Sequence, residues 1–137
     1  MTLEQQVTSL DLSRRLKELG VKQKSLFWWS ENEHDRYTGW VVFYKDEVLG
    51  TEERFSVDKE VHISAFTVSE LGEMLPGAIV TWSFADKSGC GVQFNVSLLG
   101  NKRPYVNSKL IEEHSDTLPD AMAKMLIYLV ENKLISV

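Results

Sequence analysis

The chain has 137 residues, of which 43% are hydrophobic and 26% charged, with a net charge of −5 at pH 7 and one cysteine, Cys90. This composition predicts one globular domain over 1–137, and the single cysteine excludes an internal disulfide and a cysteine-based zinc cage. The acidic balance argues against bulk nucleic-acid binding. With no apolar run of roughly 18 residues and no secretory signal pattern, we expect a cytoplasmic protein without a membrane segment.

The first predicted element is a helix from Ser9, which can act as its N-cap, to about Leu19. Its apolar residues Leu12, Leu16 and Leu19 recur with helical spacing and form one stripe. Gly20 follows the last of them and is typical of a helix C-terminus.

Two aromatic and β-branched segments, 26–29 and 39–45, predict a β-hairpin because such residues favour strands. Both faces of this hairpin carry bulky apolar side chains. One face can pack on the core, so the other face must be shielded from solvent by something else. The protein's own loops, a second subunit or a ligand could provide this shielding. We therefore predict a recognition surface or a homodimer contact from its exposed aromatic side chains, namely Trp28, Trp29, Trp40 and Tyr44.

The segment 46–62 is charged and irregular, and we interpret it as a long, mobile loop. The following residues, Thr67 to Glu70, have the pattern of a capping box, in which each residue's side chain bonds the other's backbone N–H. They predict a short helix over 68–75, which Pro76 and Gly77 end.

The hairpin at 78–98 shows the clearest alternation in the chain, because apolar and polar residues alternate in both of its halves. The apolar set, which includes Val80 and Val92, is assigned to a core face. The other face is predicted to be polar and to offer hydrogen bonds to a partner. Its members are Thr81, Ser83, Gln93, Asn95 and Ser97.

A further strand is predicted over 105–111, and the chain closes with a helix. Asp116 or Thr117 caps this helix, Pro119 lies in its first turn, and Asn132 ends it. The acidic run 112–116 is interpreted as negative charge at the helix start, where the helix dipole favours it. The apolar face of the helix is predicted to be core and comprises Met122, Met125, Leu126, Leu129 and Val130.

The clustering of strands and the segregation of helices predict an α+β fold. We expect one antiparallel sheet of about five strands, with two longer helices and one short helix packed on one face. The sequence has no βαβ alternation, and 88–91 is typical of a hairpin turn rather than a phosphate-binding loop.

Few residues indicate catalysis. The histidines at 34, 62 and 114 lie far apart in sequence and lack metal-ligand spacing, so we predict no metal and no cofactor. The enzymatic alternative is a small, hydrolase-like site on the sheet. Its candidate residues are Thr81, Ser83, Asn95, His62 and Glu70.

Three blocks of the sequence, at 9–29, 63–76 and 121–135, carry a resemblance. They read SLDLSRRLKELGVKQKSLFWW, ISAFTVSELGEMLP and AMAKMLIYLVENKLI. Together they resemble a group of small bacteriophage- and prophage-encoded proteins that carries no established activity. The resemblance covers less than half of the chain and implies an accessory gene product that acts inside a bacterial host cell.

These observations favour a non-catalytic binding protein over an enzyme. The hypothesis is that it inhibits a host defence factor or sequesters a nucleotide-like signal, because surplus aromatic groups suit protein anchoring and base stacking. A structural or assembly protein that forms a homo-oligomer is the other alternative.

Overall fold

A computed structural model describes residues 1–31, 40–44, 62–77, 79–83, 89–95 and 110–137. These ranges contain helices and strands in mixed order. In chain order they are α1 (Leu3–Gln6), α2 (Leu10–Glu18), β1 (Phe27–Glu31), β2 (Trp40–Tyr44), β3 (His62–Ala65), α3 (Val68–Met74), β4 (Ile79–Ser83), β5 (Cys90–Asn95), β6 (Leu110–Ser115) and α4 (Leu118–Glu131).

The first sheet is antiparallel, with the strand order β2-β1-β3. Trp29 in its central strand lies opposite Val42 and Ile63, and side chains directly opposite each other share one face. That face is buried in a small apolar cluster, where the segment around α1 contributes Val7 and α2 contributes Leu10. The aromatic hairpin therefore packs on the N-terminal segment of its own chain.

The second sheet is also antiparallel, in the order β4-β5-β6. Phe94 lies opposite Ile111, and both are buried in the larger apolar cluster together with the inner face of α4. The predicted core positions of this helix are confirmed, since Met122, Met125, Leu126 and Leu129 are buried and Val130 packs against them.

The α+β class is confirmed, but the expectation of one sheet of about five strands is wrong for the described residues, which form two three-stranded sheets. The two hairpins each pair with a different third strand, β3 or β6, and the helices are divided between the sheets. β3 begins at His62, the last residue of the predicted loop 46–62; the rest of that loop lies outside the described residues.

β6 is the second departure from the prediction. Glu112 to Ser115 continue the strand from Leu110, whereas the sequence was interpreted as a strand over 105–111 followed by an acidic helix start. Only 110–111 of the predicted strand lie within the described residues. The strand was missed because only Ile111 of its residues is buried, so the apolar alternation is too short to recognise.

The helix ends follow the local sequence closely. Gly20 has a φ of +88°, and the N–H of Val21 reaches the carbonyl of Leu16, as in a Schellman C-cap. The hydroxyl of Thr117 accepts from the N–H of Asp120, so Thr117 caps α4. Ser9 occupies the N-cap position of α2, but its side chain makes no capping hydrogen bond.

A buried polar junction joins the two apolar clusters at Thr8. Its hydroxyl lies 2.7 Å from the Ser13 hydroxyl and accepts from the N–H of Phe66 at 3.0 Å. Its carbonyl accepts from the indole N–H of Trp29 at 2.9 Å. Since Phe66 belongs to the larger cluster and Trp29 to the smaller one, this network couples the two sheets.

A charged contact between Arg15 and Glu131 links α2 to α4. Arg15 forms a salt bridge with Glu131 at 2.5 Å and another with Glu18 at 3.1 Å. The hydrogen bonds that Arg15 donates to Glu131, and then to Glu18, raise the pKa of its guanidinium above the ordinary value. Arg15 therefore links two helices rather than forming part of a purely solvated face.

Candidate binding surface

The register of the second sheet separates the polar residues that the sequence placed together. Thr81 lies opposite Val92, which is fully buried, while Gln93 lies opposite Glu112. Because successive residues of a strand point to opposite faces, Thr81 and Gln93 lie on different faces. The prediction of one polar face is therefore wrong. The two strands pair one residue away from the alignment that would place Thr81 beside Gln93, and such a shift moves the residues of one strand to the opposite face.

The other predicted members of the polar face are Ser83, Asn95 and Ser97. Ser83 pairs with Cys90 and Asn95 pairs with Leu110 in the backbone register. Ser97 lies outside the described residues. Gln93, another member of this set, donates a side-chain hydrogen bond to Glu112.

The outer face of the second sheet, opposite the buried Val92 and Phe94, carries a row of polar contacts. The Nε2 of Gln93 donates to the Oε1 of Glu112 at 2.8 Å. The other oxygen of Glu112 lies 3.6 Å from the Nε2 of His114. The side chains of Glu112 and His114 are 46% and 57% exposed, so this row is accessible. We define the outer face by Gln93, Leu110, Glu112 and His114.

The backbone beneath this row is anchored to α4. The ammonium group of Lys124 donates to the carbonyl of His114 at 2.8 Å. This contact ties β6 to a helix whose inner face is buried. A sheet position supported in this way holds its side chains more rigidly than a loop does.

The four predicted aromatic residues do not form one platform. Trp29 is 8% exposed and donates its indole N–H inward to Thr8, so it belongs to the core. Trp28 is next along the strand and therefore lies on the opposite face, where it is half-buried and donates to the carbonyl of Ser25 at 3.1 Å. The alternation of the strand places the two tryptophans on opposite faces, but it does not show which face is core, because both faces carry bulky apolar side chains.

Trp40 and Tyr44 lie at the two ends of β2. The guanidinium of Arg14 lies over the Trp40 ring, 5.0 Å from its centroid, and so connects α2 with this sheet. The Tyr44 ring is 5.5 Å from that of Phe27, in a tilted arrangement, and is 36% exposed. Both rings are therefore partly occupied by contacts within the chain.

The residues of the enzymatic alternative are divided between the first sheet, the second sheet and α3. The carboxylate of Glu70 accepts from the N–H groups of Thr67 and Leu26, both at 2.8 Å, which confirms the capping box and adds a contact to the residue before β1. His62 lies in the first sheet and Thr81 in the second. Glu70 thus has a structural role that explains its presence.

Metal-ligating and membrane-spanning features were also sought in the described part of the chain. Its histidine, cysteine, aspartate and glutamate side chains form no group of three or more that could hold a metal ion. Cys90 is half-buried and packs against the larger apolar cluster. None of the helices in these ranges has the length and apolar character needed to cross a membrane.

Comparisons of the chain with protein-family models, with curated proteins and with solved structures gave no match.

Proposed function

We propose that this chain is a bacteriophage or prophage accessory protein that acts in the host cytoplasm by binding a host component without catalysing a reaction. The host component is a defence factor that the protein inhibits, in preference to a nucleotide-like signal that it sequesters. The resemblance of 9–29, 63–76 and 121–135 to phage-encoded proteins supports the cellular context.

One observation carries the binding role: the hydrogen bond from Gln93 to Glu112 on the outer face. It joins two polar side chains across neighbouring strands, on the accessible side of a sheet whose other side is core. Preoriented hydrogen-bonding groups lose less conformational entropy on binding than freely rotating side chains do. The preference for a protein over a nucleotide follows from the aromatic side chains, because Trp29 is buried and Trp40 is covered in part by Arg14.

A capture experiment tests this proposal. The immobilised protein is incubated with bacterial lysate, and the retained material is identified by native mass spectrometry. Gln93→Ala removes the amide from the outer face, and Thr81→Ala is the matched control because Thr81 lies on the other face of the same sheet. We expect a retained host protein that Gln93→Ala releases and Thr81→Ala does not.

Two results would contradict the proposal. Retention of neither a protein nor a small molecule by the wild type would count against a binding role. Equal retention by the wild type and both variants would exclude the outer face as the surface. Light scattering of the purified chain separates a binding protein from an assembly protein, which would form a stable homo-oligomer and retain no host component.

A further inference from the structure

We infer that the outer face recognises an arginine side chain on its protein partner. This inference rests on the proposed function and adds the chemistry of the partner. It starts from β6, where Leu110, Glu112 and His114 occupy alternate positions and therefore follow one another along the same face. Their spacing of about 7 Å per pair of residues gives an apolar group, a carboxylate and an imidazole in a row.

The central carboxylate is oriented but retains the capacity to accept hydrogen bonds. Gln93 occupies one site on the Oε1 of Glu112, and the Oε2 lies near His114 at 3.6 Å. An ionised carboxylate offers about four acceptor sites, so a further donor can bind while the Gln93 contact persists. The amide also holds the carboxylate in place, which lowers the entropy lost when a charged donor binds.

The two neighbours of Glu112 favour arginine over lysine. Leu110 is 52% exposed and can contact the methylene groups of a long side chain, while the His114 ring offers a flat surface to a planar guanidinium. Guanidinium groups bind carboxylates through two parallel hydrogen bonds, which a lysine ammonium group cannot do. The net charge of −5 adds a favourable long-range attraction for a basic segment.

Fluorescence anisotropy with labelled tetra-arginine and tetra-lysine peptides tests the inference. The variants are Glu112→Gln, which removes the charge and keeps the shape, and Glu73→Gln, which removes the same charge from an exposed position on α3. We expect tighter binding of the arginine peptide than of the lysine peptide. Glu112→Gln is expected to weaken arginine-peptide binding about threefold to fivefold, and Glu73→Gln by less than about twofold.

Several outcomes overturn the inference. An equal effect of the two substitutions would mean that only the overall charge matters, and equal affinity for the two peptides would remove the case for arginine. A host partner that binds Glu112→Gln as tightly as the wild type would contradict this inference and leave the proposed function standing, whereas no retained partner would contradict the proposed function itself. A dimer that Glu112→Gln dissociates would instead assign the outer face to a second copy of the chain.

Discussion

The carboxylate of Asp120 accepts a 2.7 Å hydrogen bond from the backbone N–H of Ser9. Asp120 lies in the first turn of α4, while Ser9 immediately precedes α2, so one hydrogen bond between residues 111 apart in sequence connects the starts of the two helices. Helix N-termini carry backbone N–H groups without helical partners and favour nearby negative charge. Asp120 accepts a hydrogen bond from an N–H at the start of α2 and places negative charge in the first turn of α4. These two roles explain how α2 is held against α4.

Replacement of Asp120 by alanine is expected to lower the free energy of unfolding by about 1–2 kcal/mol, because the Ser9 N–H loses its acceptor and α4 loses an acid in its first turn. Asp120→Asn keeps an acceptor oxygen and should lower it less. Urea unfolding followed by circular dichroism measures both values. Equal losses for the two variants would show that the charge, and not the hydrogen bond, is responsible.

The ends of α2 and α4 offer a matched pair of substitutions. Both helices end in the same hydrogen-bonding pattern, but the left-handed position is Gly20 in α2 and Lys133, at a φ of 56°, in α4. We expect Lys133→Gly to raise the free energy of unfolding by about 0.5–1 kcal/mol, since glycine adopts positive φ without steric cost. Thermal unfolding of the variant measures the change, and a lowered midpoint would contradict it.

The reverse change at α2 is expected to destabilise the protein. A Cβ on Gly20 would meet no atom within 4 Å, so the cost of Gly20→Ala comes from the backbone conformation alone. That cost is about 1 kcal/mol for a left-handed residue with a side chain. The same thermal experiment measures the midpoint of the Gly20→Ala variant. An unchanged midpoint would show that α2 can end in another conformation.

Two buried serines should respond differently to replacement by alanine. Ser64 is fully buried and its hydroxyl has no hydrogen-bond partner within the described ranges, whereas the equally buried Ser13 hydroxyl lies 2.7 Å from that of Thr8. Ser64→Ala is therefore expected to leave the free energy of unfolding unchanged or raise it by up to about 1 kcal/mol. Ser13→Ala should lower it by about 1–2 kcal/mol. Chemical denaturation measures the free energy of unfolding of both variants. A clearly lower value for Ser64→Ala than for the wild type would contradict the first expectation.

The adjacent tryptophans of β1 differ in burial and should therefore contribute differently to the free energy of unfolding. Trp29→Ala removes a buried ring and its bond to Thr8, and we expect a loss of about 3–5 kcal/mol. Trp28 is half-buried, so Trp28→Ala should cost less, about 1–2 kcal/mol. Equilibrium unfolding monitored by far-ultraviolet circular dichroism avoids dependence on tryptophan emission. A larger loss at Trp28 would reverse the assignment of the two faces.

Much of the local structure could be predicted from the sequence, because the groups involved lie within one helical turn of each other. The capping box of Thr67 and Glu70, the C-terminal stop at Gly20 and the buried methionine face of α4 are all confirmed. Each depends on backbone groups or side chains three to five residues apart, so neighbouring residues specify them without reference to the rest of the chain.

The candidate surface could be predicted only in part. The sequence identified the hairpin strands and Gln93, but it missed Glu112 and His114 as neighbours and grouped Thr81 with the wrong face. The reason is that alternation shows which residues of one strand share a face, not how two strands align. A shift of one residue leaves the alternation unchanged and reverses every facing pair.

The sequence by itself determined the α+β class, the helix ends and the core face of α4, since these follow from propensity and spacing over a few residues. Only the tertiary structure decided that the strands form two sheets, that Trp29 points inward to Thr8, and that Glu112 stands beside Gln93. These contacts join residues far apart in the chain. They depend on the pairing of strands and the burial of whole faces, which local sequence does not encode.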